Sequence, residues 1–222
     1  MDDMKKLAAK AAVKLIKNRS ILGLGSGSTV SFFIKYLIKR KKEGLDVRCV
    51  SSSKKSSYLA KKGGIKLLDI KNVKKIDIVV DGADEIDKDK NMIKGGGGAL
   101  FKEKILIEFS KKVIIIVDET KLVDKLGRKK LPVEIIPFGA KFVFEKLKKE
   151  RFKGIWRVCK KNNFITENGN FILDIFLNKL LDNPKKIHDK IKGIVGVVET
   201  GLFCDVNPKV IIGREEGGVD IW

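Results

Sequence analysis

The stretch DGADEIDKDKNMIKGGGGAL, residues 81–100, puts Asp81, Asp84 and Glu85, then Lys94 and Gly95 to Gly98, into one connection after the apolar run IDIVV. Ionised carboxylates are costly to bury unless paired, and a run of glycines lets another group approach the main chain closely. Acids in such a place can cap the next helix as a solvated turn, or bind a hard cation such as Mg²⁺. Lys94 beside exposed amides suits a third task, stabilising an oxyanion without a metal. Glu103 falls early in the helix that follows. A carboxylate partly withdrawn from water there is suited to general-base work, although between Lys102 and Lys104 it also fits a plain surface position.

A second connection, GLGSGSTV at residues 23–30, is neither a Gly-x-Gly-x-x-Gly dinucleotide turn nor a Walker loop, since no Gly-Lys-Ser/Thr follows. It sets Ser26, Ser28 and Thr29 at a helix amino terminus, where free N–H groups and the helix dipole favour a phosphate. A well-capped helix after a tight turn would look the same. His188, the single histidine, follows two lysines in a surface-helix pattern and reads as solvated. Cys49, Cys159 and Cys204 are far apart and form no Cys-x-x-Cys pair; each reads as a small apolar strand residue, with no zinc site or disulfide framework implied.

Positioning these groups requires apolar strands alternating with helices, and the first half of the chain supplies them. Met4, Leu7, Ala8, Ala11, Leu15 and Ile16 form a helical stripe, as do Val30, Phe33, Ile34, Leu37 and Ile38. Strand-like runs stand at ILGLG, DVRCV, IKLLDI, IDIVV and KVIIIVD. The pattern predicts a Rossmann-like, doubly wound parallel α/β sheet. SGST, SSSKKS and DGADEID each follow a strand directly, as ligand loops do in such sheets. After residue 128, LPVEIIP reads as an edge or linking strand. A helix, two strands joined through TENGN, a helix and the strand GIVGVVE follow, giving a ferredoxin-like α+β order. The expected division is a Rossmann-like domain over 1–127, completed by 205–222, with a smaller α+β domain inserted over 128–204.

The formal net charge of +20 raises nucleic acid as a partner. Only seven of the 48 basic residues are arginine, the lysines are spread along the chain, and no nucleic-acid-binding motif stands out. Nucleic acid is therefore not expected as the primary partner; the charge solvates the surface and draws in anionic substrates. With 43% hydrophobic residues the chain is too apolar for disorder, and no apolar run approaches the ~18 residues of a membrane span. Lysines interrupt the amino-terminal segment, so it reads as the first helix of a cytoplasmic protein rather than a secretory signal.

In order, GLGSGST, SSS, DGADEID, IKGGGGALFKEK, DETKLVDKLG, LPVEIIP and VVETGLF resemble the A-type ribose-5-phosphate isomerases from end to end. The resemblance implies interconversion of D-ribose 5-phosphate and D-ribulose 5-phosphate in the non-oxidative pentose phosphate pathway, with no cofactor and no metal. It implies Ser26, Gly27, Ser28 and Thr29 as the phosphate loop. Asp81, Gly82, Ala83 and Asp84, with Lys94, Gly95, Gly96 and Gly97, correspond to the sugar-binding loops. Glu103 corresponds to the proton acceptor, Lys121 to a further substrate contact, and Lys5 to an amino-terminal phosphate lysine. Asp81, Asp84, Lys94 and Glu103 carry the chemistry on this reading, and the assembly is a homodimer or homotetramer. Val195 departs from the proline usual before Gly-Val-Val-Glu, away from the expected site. An amino-sugar-phosphate deaminase and a sugar-phosphate sensor are rival readings by fold analogy alone.

Overall fold

The computed structural model describes residues 1–222. In chain order the elements begin α1 (Asp2–Lys14), β1 (Ser20–Leu24), α2 (Ser28–Lys42), β2 (Val47–Ser51), α3 (Lys54–Lys62), β3 (Lys66–Leu67) and β4 (Ile78–Asp81). They continue with β5 (Glu85–Ile86), β6 (Met92–Ile93), α4 (Leu100–Glu108), β7 (Val113–Asp118), β8 (Leu131–Ile135), α5 (Ala140–Lys149), β9 (Gly154–Trp156), β10 (Val158–Cys159) and β11 (Asn162–Asn163). The last are β12 (Phe171–Ile175), α6 (Pro184–Lys192), β13 (Val197–Thr200), β14 (Leu202–Phe203), β15 (Lys209–Gly213) and β16 (Val219–Ile221). No helix is long and apolar enough to cross a membrane.

The residues form two compact units. The first comprises Met1–Ala83, Lys102–Lys121 and Val206–Trp222. Its sheet runs β16-β15-β7-β4-β1-β2-β3, parallel throughout except that β16 pairs antiparallel with β15. Ile114 to Val117 of β7 are all buried, which explains the uninterrupted apolar run: a parallel strand covered on both faces has no polar side to show. Val30, Phe33, Ile34 and Leu37 of α2 are fully buried, as their spacing predicts. The α1 face differs from the expected stripe. Ala8, Ala9, Ala12 and Val13 are buried while Leu15, beyond the helix, is exposed. Small residues let α1 lie close to the sheet; a Cβ at Gly213 of β15 would fall 1.9 Å from the Met4 carbonyl oxygen.

The second unit comprises Asp84–Phe101 and Leu122–Asp205. Its antiparallel sheet runs β13-β8-β12-β9, which with α5 and α6 between the strands is the ferredoxin-like arrangement. Residues 84–101 and 122–127, expected in the first domain, group here because β5 and β6 pair with β14 in a three-stranded sheet. LPVEIIP contains no edge strand: β8 lies between β13 and β12. Pro132 is tolerated there because its carbonyl faces the β13 side, accepting from Gly201 N at 2.7 Å just past that strand's end. An extended residue's N–H and C=O point to the same neighbour, so no bond to β12 requires the missing donor.

Candidate active site

In the first unit the sheet reverses its winding between β1 and β4, and sheets of this kind bind ligands beyond the carboxyl ends of the strands at that switch point. Asp81 closes β4 and is fully buried. Its Oδ1 accepts from Ser26 N at 3.0 Å and Gly82 N at 2.8 Å. These two charge-assisted bonds tie the loop after β1 to the loop after β4. Only glycine fits at 25, since a Cβ there would lie 2.0 Å from the Asp81 carboxyl carbon. The serines after β2 complete the frame: Ser26 Oγ and Ser52 Oγ are 2.9 Å apart, Ser56 Oγ donates to Gly25 O at 2.7 Å, and Ser53 caps α3.

The 15-residue helix α2 begins at Ser28, with Gly27 as its cap at φ +103° and no side chain to occupy the first-turn amides. Gly27 and Ser28 are exposed while Thr29 is buried. An anion at this end meets backbone donors and the positive end of the dipole. Glu103 sits in the first turn of α4 and is 4% exposed, so it is not the surface glutamate that its lysine neighbours allow. Lys121 is half-buried in a short 3₁₀ turn, Glu119–Lys121, after β7. The same turn is anchored by buried Asp118, which accepts from the Thr120 hydroxyl. Lys5 lies in the first turn of α1 with Asp2 Oδ1 3.7 Å from its Nζ.

The second unit carries the remaining expected groups. Asp84 N donates to Ile93 O at 2.8 Å, and Asp84 Oδ2 accepts from Gly96 N at 2.9 Å, so the acid and the glycine run are one structure. Lys94 follows β6, is 3% exposed, and sets its ammonium 5.3 Å from the centre of the Phe203 ring, a cation–π contact in a nearly dry setting. Gly95 and Gly98 have φ of +99° and +80°, the region that disfavours side chains. Gly96 and Gly97 are exposed, and a Cβ at 97 would meet nothing within 4 Å.

The acids of 81–87 therefore divide among separate tasks. Glu85 is buried, with Oε2 accepting from Gly127 N at 2.8 Å and Oε1 accepting from Lys129 N. Asp87 holds Asn91 in the β5–β6 turn. No three His, Cys, Asp or Glu side chains gather where they could hold a metal ion. His188 is not solvated as expected: Nδ1 is 2.7 Å from Thr200 Oγ1, which fastens α6 to β13. Cys49 is a buried strand residue as expected, but Cys159 is exposed and Cys204 lies outside any strand. The sequence reading marked the SSSKKS loop without singling out Ser52 or Ser56, and it missed Asp118 and Arg157. SSS directly after a strand was the available signal for the serines; nothing local marks Arg157.

A family model for ribose 5-phosphate isomerase A (phosphoriboisomerase A) matches residues 48–217. The chain belongs to the ribose-5-phosphate isomerase A family. It is 45% identical over 216 residues to ribose-5-phosphate isomerase A of Limosilactobacillus reuteri, covering 96% of this chain and 95% of that protein. Among solved structures it is similar to ribose 5-phosphate isomerase A of Methanocaldococcus jannaschii, with a TM-score of 0.92 at 37% identity, covering 99% of this chain and 98% of that one. A D-ribose-5-phosphate isomerase solved in complex with phospho-erythronic acid gives a TM-score of 0.94 at 40% identity, covering 99% and 97%. The family resemblance and the α/β fold class read from the motifs thus hold for ribose-5-phosphate isomerase A.

Proposed function

We propose that this chain interconverts D-ribose 5-phosphate and D-ribulose 5-phosphate through an enediolate. The observation that carries the reading is its family membership over nearly the whole length, including a similar enzyme bound to a phosphorylated aldonic acid. The residue roles are those the family resemblance implies, and the burial of Asp81, Lys94 and Glu103 supports them. Glu103 takes the C2 proton of the open-chain aldose, and the electron pair left behind forms the C1=C2 bond while charge develops on O1. The Lys94 ammonium and the N–H groups of the glycine loop stabilise that oxygen. A proton passes from O2 to O1 with the help of Asp81, which also assists ring opening. Glu103 then returns its proton to C1, leaving the ketone at C2.

Asp84 holds substrate hydroxyls and is itself oriented by Gly96 N–H. Ser26 to Thr29 bind the phosphate at the start of α2, with Lys121 and Lys5 adding positive charge, so that binding energy remote from C1 and C2 fixes the sugar against the base. The chemistry needs neither metal nor cofactor. We place the enzyme in the non-oxidative pentose phosphate pathway of the cytoplasm, as a homodimer or homotetramer. Conversion of ribose 5-phosphate by the purified protein in EDTA tests the reading; absence of turnover across a broad temperature range would refute it.

A further inference from the structure

Arg157 has no place in the chemistry above, yet its side chain is engaged on every polar atom beside the glycine run. Its backbone is pinned on both sides: its N donates to Ile172 O and its O accepts from Phe164 N, each at 2.8 Å. Nε and Nη2 donate to the two oxygens of Asp174 at 2.9 and 2.5 Å, a fork matched to a carboxylate. Nη1 donates to both Gly95 O and Gly96 O at 3.0 Å. The guanidinium carbon lies 5.7 Å from the centre of the Phe164 ring, and that ring would be struck by any side chain at Gly98. The Arg157 and Asp174 side chains are only 16% and 13% exposed.

The orientation of two peptides follows. There are no cis peptide bonds, and in a trans peptide the C=O and the next residue's N–H point in opposite directions. With Gly95 O turned toward Arg157, Gly96 N–H faces away, and it is this N–H that meets Asp84 Oδ2 at 2.9 Å. With Gly96 O turned the same way, Gly97 N–H also faces away from Arg157, beside a Cα whose side-chain direction is open. A cationic donor on a carbonyl oxygen further polarises its peptide and strengthens the opposite N–H as a donor.

We propose that Arg157, locked by Asp174, is a positioning residue that turns the Gly95–Gly96 and Gly96–Gly97 peptides so that one N–H orients Asp84 and the next is presented to the substrate oxygen where charge develops. The proposal rests on the isomerase reading and deepens it. It assigns the setting of the glycine loop to a side chain about sixty positions downstream of it, within the second unit.

The test uses the full-length enzyme. Arg157→Lys keeps a cation but cannot serve Asp174 and both carbonyls with one planar fork. Arg157→Met with Asp174→Leu removes both charges, so no lone ion is left buried. Steady-state kinetics on ribose 5-phosphate are paired with the dissociation constant of phospho-erythronic acid, whose carboxylate imitates the paired oxygens of an enediolate. The expected result is a kcat about tenfold lower or worse, as for loss of an oxyanion donor. KM should move by less than about threefold, and the analogue should weaken roughly in step with kcat. Folded variants with wild-type kcat and analogue affinity would overturn the role, as would a loss confined to thermal stability. Should neither variant fold, the wild type still decides: phospho-erythronic acid must shift the Gly97 amide resonance, and an unmoved resonance overturns the proposal. An inactive wild type would instead sink the isomerase reading, and this role with it.

Discussion

Adding one carbon at Gly25 is expected to disable the proposed site by displacing the Asp81 carboxylate while leaving every proposed catalytic side chain in the sequence. In Gly25→Ala the new Cβ would fall 2.0 Å from both Cγ and Oδ1 of Asp81 and 2.6 Å from its Cβ. Asp81 stands on β4, hydrogen-bonded between β1 and β7, so its backbone cannot retreat and its carboxylate must swing. The swing gives up the bonds from Ser26 N and Gly82 N. Hydrogen bonds to a charged group contribute about 1.5–3 kcal/mol each, so the loss is about 3 kcal/mol at the low end. For a chain of this size that corresponds to a fall in melting temperature of about 6 °C or more. Displacing Asp81 by about 1 Å should also cost roughly 100-fold in kcat/KM. Gly27→Ala is the control for stability alone, since Gly27 belongs to the proposed phosphate loop. It has φ +103° but nothing within 4 Å of the new methyl, so it should cost only about 1–2 kcal/mol of backbone strain. Calorimetry on the two variants and isomerisation kinetics on Gly25→Ala check this. A Gly25→Ala enzyme within about threefold of wild type, melting at the same temperature, would refute the argument that this contact fixes Asp81.

Other expectations concern the scaffold. Glu85→Ala strands the Gly127 and Lys129 amides beside a new cavity, and should destabilise by about 3 kcal/mol or more in a denaturant titration. Glu85→Gln, which keeps one acceptor, should lose less. Burial pushes the Cys49 thiol from 9.0 up to about 12. The folded state therefore holds its proton after the unfolded chain has lost it, so this contribution to stability is intact below pH 9 and is lost as pH rises from 9 toward 12. The stability slope over that window should become shallower in Cys49→Ala, and at pH 8 alkylation of the native protein should label exposed Cys159 while Cys49 reacts only on unfolding.

The parallel sheet was legible because its strands are buried on both faces and leave unbroken apolar runs, with SGST, SSS and DGADEID standing directly after β1, β2 and β4. IKLLDI was overread: only Lys66 and Leu67 pair, at the sheet's edge, before a 3₁₀ turn over Ile70–Asn72. The two-residue strands β5, β6 and β14 escaped because so short a pairing has no measurable periodicity. They nevertheless decide which unit residues 84–101 join. LPVEIIP misled because proline argues against an interior strand unless the missing donor falls where the neighbouring strand has stopped, and that is visible only in three dimensions. The proposed groups Asp81, Asp84, Lys94 and Glu103 stand out in the sequence by type and local order. The division of labour among the acids does not, because the amides that Glu85 binds lie more than forty positions away. Arg157 was hidden for the same reason, as an ordinary basic residue in GIWRVCK until its carbonyl partners are seen.

The central claim, that Glu103 moves a proton between C2 and C1 of ribose 5-phosphate without a metal, is tested most directly by one comparison in EDTA. Initial rates of ribulose 5-phosphate formation are measured for the wild type and for Glu103→Gln, with circular dichroism confirming that both fold. The account predicts robust wild-type turnover and a kcat lower by roughly two or more orders of magnitude in the variant, as loss of a general base requires. A variant that stays active, or a wild type that is silent, would contradict it.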